Sequence, residues 1–213
     1  SKDELNLINI HVGLVIKDKE HLKDCIFEAC DDAYYFSQDI TFWDTTNVKD
    51  MSEVFEDRRY FNLLLLWNVI NVTNMSRMFL GCHKFNQQLN NWKISNVENM
   101  NYLFDWCCKF NQPLDKWDVS NVKSMQGTFF KCFEFNQQLE KWDVGKVTNM
   151  QHLMAGCSNF NQPLNNWNVS NVINMKGMFK FCRNFNQSIE NWDVSNVEIV
   201  DYMFNGCTKF NQQ

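Results

Sequence analysis

The chain has 213 residues, of which 45% are hydrophobic and 21% charged, and its formal net charge is −5. This composition is typical of a folded protein, and the acidic balance argues against nucleic-acid binding, which needs a basic surface. No run of about 18 apolar residues is present, so no membrane span is predicted. The N-terminus lacks a charged segment followed by an apolar one, so no signal peptide is predicted either.

The first 35 residues differ in pattern from the rest of the chain. The segment "LNLINIHVGLVI" (5–16) predicts a strand, and "KDKEHLKDCIFEAC" (17–30) predicts a helix. Leu22, Cys25, Ile26 and Ala29 would share one side of that helix. We expect residues 1–35 to form an α/β cap on the domain that follows.

Residues 36–213 form an internal repeat. Tryptophan recurs at steps of 24 and then 25 residues, at Trp43, Trp67, Trp92, Trp117, Trp142, Trp167 and Trp192. Each unit is too short to bury its own apolar residues, so successive units must stack and share a core. We divide the segment into seven coils, 36–59, 60–84, 85–109, 110–134, 135–159, 160–184 and 185–209, and the chain ends with "FNQQ", the start of a further coil.

Each coil is predicted to contain a short strand and a short helix. Val172, Met175, Met178 and Phe179 have the spacing of one helix face, and Ser170 suits the N-cap. "FNQxL" alternates as a strand does, so stacked coils would form a parallel sheet. The leucines of "FNLLLLW" (61–67) replace polar residues, which predicts that coil two packs against the cap.

Six of the nine cysteines form a column with the same period. We favour buried free thiols that fill a narrow interior position, while disulfides between stacked coils and a zinc site are the alternatives. The asparagine after the leading Phe also recurs. It is expected to bond coil to coil through its amide, and a polar ligand strip is the alternative.

No pattern of catalytic or cofactor-binding residues is present. The four histidines share no metal-binding spacing, nothing marks a nucleophilic triad, and no phosphate-binding glycine loop occurs. We therefore expect no enzymatic activity, no cofactor and no metal, and we interpret the methionine column as core.

Aromatic residues break the pattern near the end of several coils. Most lie beside positions that the core residues already fill, so they should be at or near the surface. A group of this kind suits a partner-binding patch, and local packing without a partner is the alternative. The candidate partner-binding residues are Leu80, Tyr102, Trp106, Phe130, Phe133, Phe181 and Tyr202.

The motif F-N-Q-x-L-x-x-W-[DN]-V-S-N-V-x-N-M-x-x-M-F-x-x-C resembles that of the BspA-like leucine-rich-repeat proteins. It is most similar to the 25-residue repeat family first described in mycoplasma surface lipoproteins. The resemblance covers residues 36–213, with departures at Gly145–Lys146, Met154 and Thr128. It implies a right-handed leucine-rich-repeat-like solenoid without enzymatic activity, used in adhesion or protein–protein interaction. It also suggests the cell surface, whereas the free-thiol pattern and the missing signal peptide favour the cytosol.

The expected function is therefore non-catalytic binding of a protein partner. The alternative is a structural protein that self-associates through its C-terminal coil.

Overall fold

The computed structural model describes residues 13–32, 35–36 and 38–212. In this part of the chain the regular elements are helix α1 (Lys19–Glu28) and strands β1 (Cys30–Asp32) and β2 (Tyr35–Phe36), which pair antiparallel. None of the described residues forms a helix with the length and apolarity that a membrane crossing requires.

The predicted N-terminal helix is confirmed. Asp18 caps it by accepting a hydrogen bond from the His21 N–H at 2.9 Å, and Leu22, Ile26 and Ala29 are buried. Lys19 reaches the Asp50 carboxylate at 3.3 Å, so the helix lies beside the first coils. The predicted strand 5–16 falls mostly outside the described residues, and its end pairs with the first coil through a single parallel bridge between Val15 and Asp44.

Residues 38–212 form a stack of coils joined by backbone hydrogen bonds. Four N–H groups of each coil donate to carbonyls of the next coil, about one repeat ahead. In coil three the donors are Met100, Tyr102, Phe104 and Trp106, with distances of 3.2, 2.7, 2.9 and 2.8 Å. Alternate N–H groups thus point along the stack, and the same set of bonds recurs at each junction.

The predicted coil of one strand and one helix is wrong. Apart from Phe36 in β2, the described part of the repeat contains neither a helix nor a sheet, and successive coils share only one isolated parallel bridge each, as between Asn99 and Ser124. This finding also removes the leucine-rich-repeat solenoid as a description of the fold. We describe it instead as a stack of coils built from turns.

Two backbone features explain why no helix forms. Each coil holds two residues with positive φ four positions apart, such as Tyr102 at 56° and Trp106 at 60°, and left-handed residues interrupt a right-handed helix. In addition, the N–H groups that alternate with these donors form hydrogen bonds within their own coil. The Leu103 N–H, for example, donates to the Met100 carbonyl at 3.2 Å and closes a tight turn. The helix-like spacing of Val, Met and Phe therefore arises from consecutive turns that bury the same residues.

The "FNQ" segment is not a strand, because side chains replace the backbone ladder. The Asn111 N–H donates to Asn86 Oδ1 at 3.0 Å, and Gln112 Nε2 donates to the same oxygen. The equivalent bond recurs from Asn136 to Asn111 at 2.9 Å and in the following coils. The expected coil-to-coil bonding of this asparagine column is confirmed.

The core consists of columns of identical side chains. Phe104 stacks between Phe79 and Phe129 with ring centres 5.7 Å away on both sides. From coil two onward, each core tryptophan donates its indole N–H to a carbonyl of the preceding coil, as Trp117 does to Leu89 at 2.9 Å. These contacts confirm that the invariant positions of the repeat point inward.

The cysteine column occupies core positions, as predicted. All nine cysteines are free, and five of the column are buried. Cys132 Sγ lies 3.0 Å from the Phe104 carbonyl and donates to it. Burial raises the pKa of the column thiols well above the usual range, so they remain protonated donors.

One local prediction is wrong. Ser170 is not an N-cap, because its N–H and hydroxyl both donate to Asn168 Oδ1 in a local Asx turn. The expected packing of the leucine-rich segment of coil two against the cap stays a prediction. Leu65 is buried, but Leu64 is 41% and Leu66 57% exposed.

Candidate partner-binding surface

The positive-φ positions place side chains in two columns on the surface of the stack. The first column contains Glu53, Arg77, Tyr102, Gly127, His152, Gly177 and Tyr202, and the second contains Asp57, Gly81, Trp106, Lys131, Gly156, Phe181 and Gly206. Within a column, a side chain lies over the residue of the next coil, which is often glycine. A Cβ at Gly127, for example, would come within 2.6 Å of the Tyr102 ring.

Tyr102 is therefore held by local packing. Its ring lies over Gly127, the guanidinium carbon of Arg77 is 5.8 Å from the ring centre, and its hydroxyl accepts a hydrogen bond from Gln126. Burial raises the pKa of this hydroxyl. The structure therefore gives Tyr102, one of the predicted site residues, a packing role within the chain.

Trp106, Phe130, Lys131 and Phe133 form one cluster on coils three and four. The Trp106 and Phe133 rings meet edge to face at 6.0 Å. Lys131 Nζ lies 4.0 Å from the Trp106 ring centre and 4.9 Å from that of Phe130. Trp106 and Phe133 remain 37% and 39% exposed, and Phe130 is less exposed. The structure thus brings three of the predicted residues together around a lysine that sequence reasoning did not include.

Phe181 and Tyr202 form a second group with Lys180, whose Nζ lies 5.3 Å from both ring centres. Phe181 also covers Gly206, where a Cβ would come within 2.3 Å of its ring. Both aromatic rings are half exposed or more. The described residues show no ring contact between this group and the Trp106 cluster, because coil five separates them with small residues.

A groove lies between these two groups. It has a volume of about 310 Å³ and is lined by Lys131, Phe133, Gly156, Ser158, Phe181 and Arg183. Gly156 and Ser158 belong to coil five, whereas the pairs Lys131–Phe133 and Phe181–Arg183 belong to coils four and six. We call this feature the coil-five slot.

Leu80, the remaining predicted residue, is partly buried and shares its repeat position with Asp105 and Phe130. Asp105 is 8% exposed, and its Oδ1 has no hydrogen-bond partner among the described residues. Burial raises the pKa of this carboxyl to about 7, against the opposing effect of the Lys131 and Arg77 charges. Sequence reasoning missed this buried carboxyl, although an aspartate between a leucine and a phenylalanine in one column was a visible sign.

The sequence also carried a signal for the slot. At the repeat position of Phe133 and Arg183, coil five has Ser158, and at the position of Lys131 and Phe181 it has Gly156. Small residues between large ones in two parallel columns predict a depression in the surface.

Among the described residues, no three His, Cys, Asp or Glu side chains are grouped closely enough to hold a metal ion. The features present are aromatic rings, cations and one slot on a stack of coils.

The architecture defines a class of elongated tandem-repeat proteins whose fixed residues build the core and whose variable residues form the surface. The chain belongs to the family described as "Mycoplasma protein of unknown function, DUF285", whose pattern matches residues 24–139 and 123–213. No curated protein and no solved structure matches the chain.

Proposed function

We propose that this protein is a non-catalytic binding scaffold that recognises another protein through the surface around Trp106. The observation that carries the proposal is the exposed pair of Trp106 and Phe133, held edge to face at 6.0 Å with Lys131 beside them. A few residues, among which Trp, Tyr and Arg are enriched, supply most of the binding energy in protein interfaces, and Trp106 is a residue of this kind.

The stack of coils supports this role because it holds the surface rigidly. Trp106 donates its backbone N–H to the Phe130 carbonyl at 2.8 Å, and its Cα lies in a turn fixed by the next coil. A surface that is ordered before binding loses little conformational entropy on association. The BspA-like resemblance of the motif, with its adhesion and interaction roles, favours the same class of function.

The test is a selection of peptides displayed from a random library on the wild-type protein and on a Trp106→Ser/Phe133→Ser variant. We expect peptides that are enriched on the wild type and lost on the variant. Ile173→Ser is the matched control, because Ile173 is 43% exposed and lies in a different groove. The Trp106→Ser/Phe133→Ser variant should keep its thermal midpoint within a few degrees, since both replaced rings are at the surface.

Two results would contradict the proposal. A large fall in thermal midpoint would show that Trp106 and Phe133 are packing residues. Enrichment that is the same on the wild type and the double variant would show that the binding surface lies elsewhere.

Self-association is the second candidate function. Val194 is 51% and Val200 56% exposed in the last coil, whereas the equivalent Val169 and Met175 of the preceding coil are buried. A second copy stacked on this face would cover these side chains. Sedimentation analysis over a range of concentrations tests this, and Val200→Lys should abolish any dimer that forms there.

A further inference from the structure

We infer that the coil-five slot binds an acidic peptide segment through an aromatic side chain that inserts between Phe133 and Phe181. This inference rests on the proposed function, because it specifies the chemistry of the partner at one end of the same surface.

The dimensions of the slot suit one flat side chain. Its walls belong to coils four and six, so their backbones are about 10 Å apart at roughly 4.8 Å per coil. A ring that packs against two wall rings needs contacts of about 3.5–4 Å on each side. A slot of about 310 Å³ between these walls has room for an aromatic side chain.

Gly156 and Ser158 line the floor of the slot, and the Lys131 side chain lies over Gly156. Gly156 has φ of +83°, and a Cβ there would come within 3.1 Å of Lys131 Cγ and 3.3 Å of its Cα. Ser158 donates its hydroxyl to the Phe133 carbonyl at 3.2 Å, so its short side chain lies against the wall. Nothing from coil five rises between the two phenylalanines.

The charge at the slot is positive on an acidic protein. Lys131 and Arg183 line it, Lys180 lies next to Phe181, and no carboxylate of the described residues is within salt-bridge distance of any of the three. The larger groove around Ile173 differs, because its Lys123 is paired with Glu98 at 2.7 Å. Lys131 also acts on the buried Asp105 carboxyl, so Arg183 and Lys180 are the cations that lack a carboxylate partner among the described residues. Such cations beside apolar walls favour an occupant that carries both a ring and negative charge.

A peptide fits these features better than a nucleic acid does. Nucleic-acid binding depends on many cations that follow the phosphate backbone, and the slot has two at its edges on a chain of net charge −5. Carboxylates on either side of one aromatic residue would place charge at both edges.

The test is a fluorescence titration with synthetic peptides. The probe is a five-residue peptide with a central tyrosine between two pairs of glutamates. One comparison peptide has glutamines in place of the glutamates, and another has alanine in place of the tyrosine. Trp106 is the reporter, because it borders the slot at Phe133 while the other seven tryptophans are only 3–7% exposed.

Two variants locate the binding. Ser158→Phe places a ring on the slot floor and should weaken the probe at least about tenfold, while the matched Ser158→Ala should bind as the wild type does. Arg183→Gln should weaken the probe about three- to tenfold at low salt, and the difference should shrink at 0.5 M salt, where charges are screened. Arg183 is exposed, so this variant tests the inference even if Ser158→Phe fails to fold.

The inference is overturned if the glutamine peptide binds as tightly as the probe, or if a folded Ser158→Phe protein keeps full affinity. It is also overturned if the probe does not bind, or if Arg183→Gln binds it as the wild type does at low salt. The peptide-display selection described above distinguishes a failure of this inference from a failure of the proposed function. Peptides that depend on Trp106 and Phe133 but lack the acidic aromatic pattern would support a binding surface and reject this occupant.

Discussion

Replacing Asp105 by asparagine should stabilise the protein at pH 8 and have little effect at pH 4.5. The carboxyl is buried, its Oδ1 lacks a hydrogen-bond partner, and its pKa in the folded protein is about 7. The unfolded chain has an aspartate pKa of about 3.9. Because the folded pKa is the higher one, the unfolding free energy falls as the pH rises from about 4 to 7, and Asp105→Asn removes that loss.

The size of the effect follows from the difference in pKa. About three pKa units correspond to about 4 kcal/mol at full linkage, and partial hydration of the carboxyl reduces this to about 2 kcal/mol. The pKa of about 7 already includes the opposing effect of the Lys131 and Arg77 charges. The asparagine amide has nearly the same shape and carries no charge, so at pH 4.5 the two proteins should be almost equally stable.

The assay is urea unfolding followed by tryptophan fluorescence at pH 4.5, 6 and 8. Asp201→Asn is the matched control, because Asp201 is an exposed carboxylate in the last coil and its removal should change the midpoint little at any pH. An Asp105→Asn protein with an unchanged midpoint at pH 8 would refute the reasoning. An equal shift at all three pH values would also refute it, since it would not depend on ionisation.

Three further results are expected. Trp142→Phe should lose about 1–3 kcal/mol of stability because it leaves a buried carbonyl of the preceding coil without its indole donor, whereas Trp106→Phe should lose little, and thermal unfolding compares the two. Gly127→Ala should destabilise by about 1–2 kcal/mol through its positive φ and the contact with Tyr102, and a Tyr102→Ala background should reduce that loss in a double-mutant cycle. Alkylation of the native protein followed by mass measurement should label the partly exposed cysteines first and the buried ones only in urea; the buried set is Cys82, Cys107, Cys132, Cys157 and Cys182.

The positions of the core residues could be predicted from the sequence, because a strict period leaves little choice about which side chains face inward. Val172, Met175 and Phe179 are buried as expected. The backbone that carries them could not be predicted from spacing alone. Apolar residues at i, i+3 and i+7 fit a helix face, and they equally fit a series of overlapping turns. Each turn is closed by an N–H that donates to the carbonyl three residues back, as Met178 does to Met175.

The turns depend on bulky residues in a backbone conformation that such residues rarely adopt. Tyr102, Trp106 and Phe181 adopt the left-handed region that glycine favours. Their equivalents Gly81, Gly127, Gly156 and Gly206 occupy the same two columns, so the alternation of glycine and bulky residues was the available sign of a turn.

The candidate surface was predictable in part for the same reason. Departures from the repeat marked Trp106, Phe133 and Phe181 as surface residues, and the structure exposes all three. The slot exists because coil five has small residues where coils four and six have large ones. This difference becomes visible only when the three coils are aligned in register. Lys131 and Arg183 looked like ordinary charged surface residues until their neighbours were known.

Coil two shows where the repeat tolerates a change of length. One residue separates Leu65 from Trp67, whereas two separate Leu89 from Trp92. Even so, the Trp67 indole donates to the Ile40 carbonyl at 2.7 Å, and the Leu65 carbonyl accepts from the Trp92 indole at 3.2 Å. The bend between leucine and tryptophan can thus lose a residue while both columns keep their alignment, which makes it the natural place to graft a foreign loop onto this scaffold.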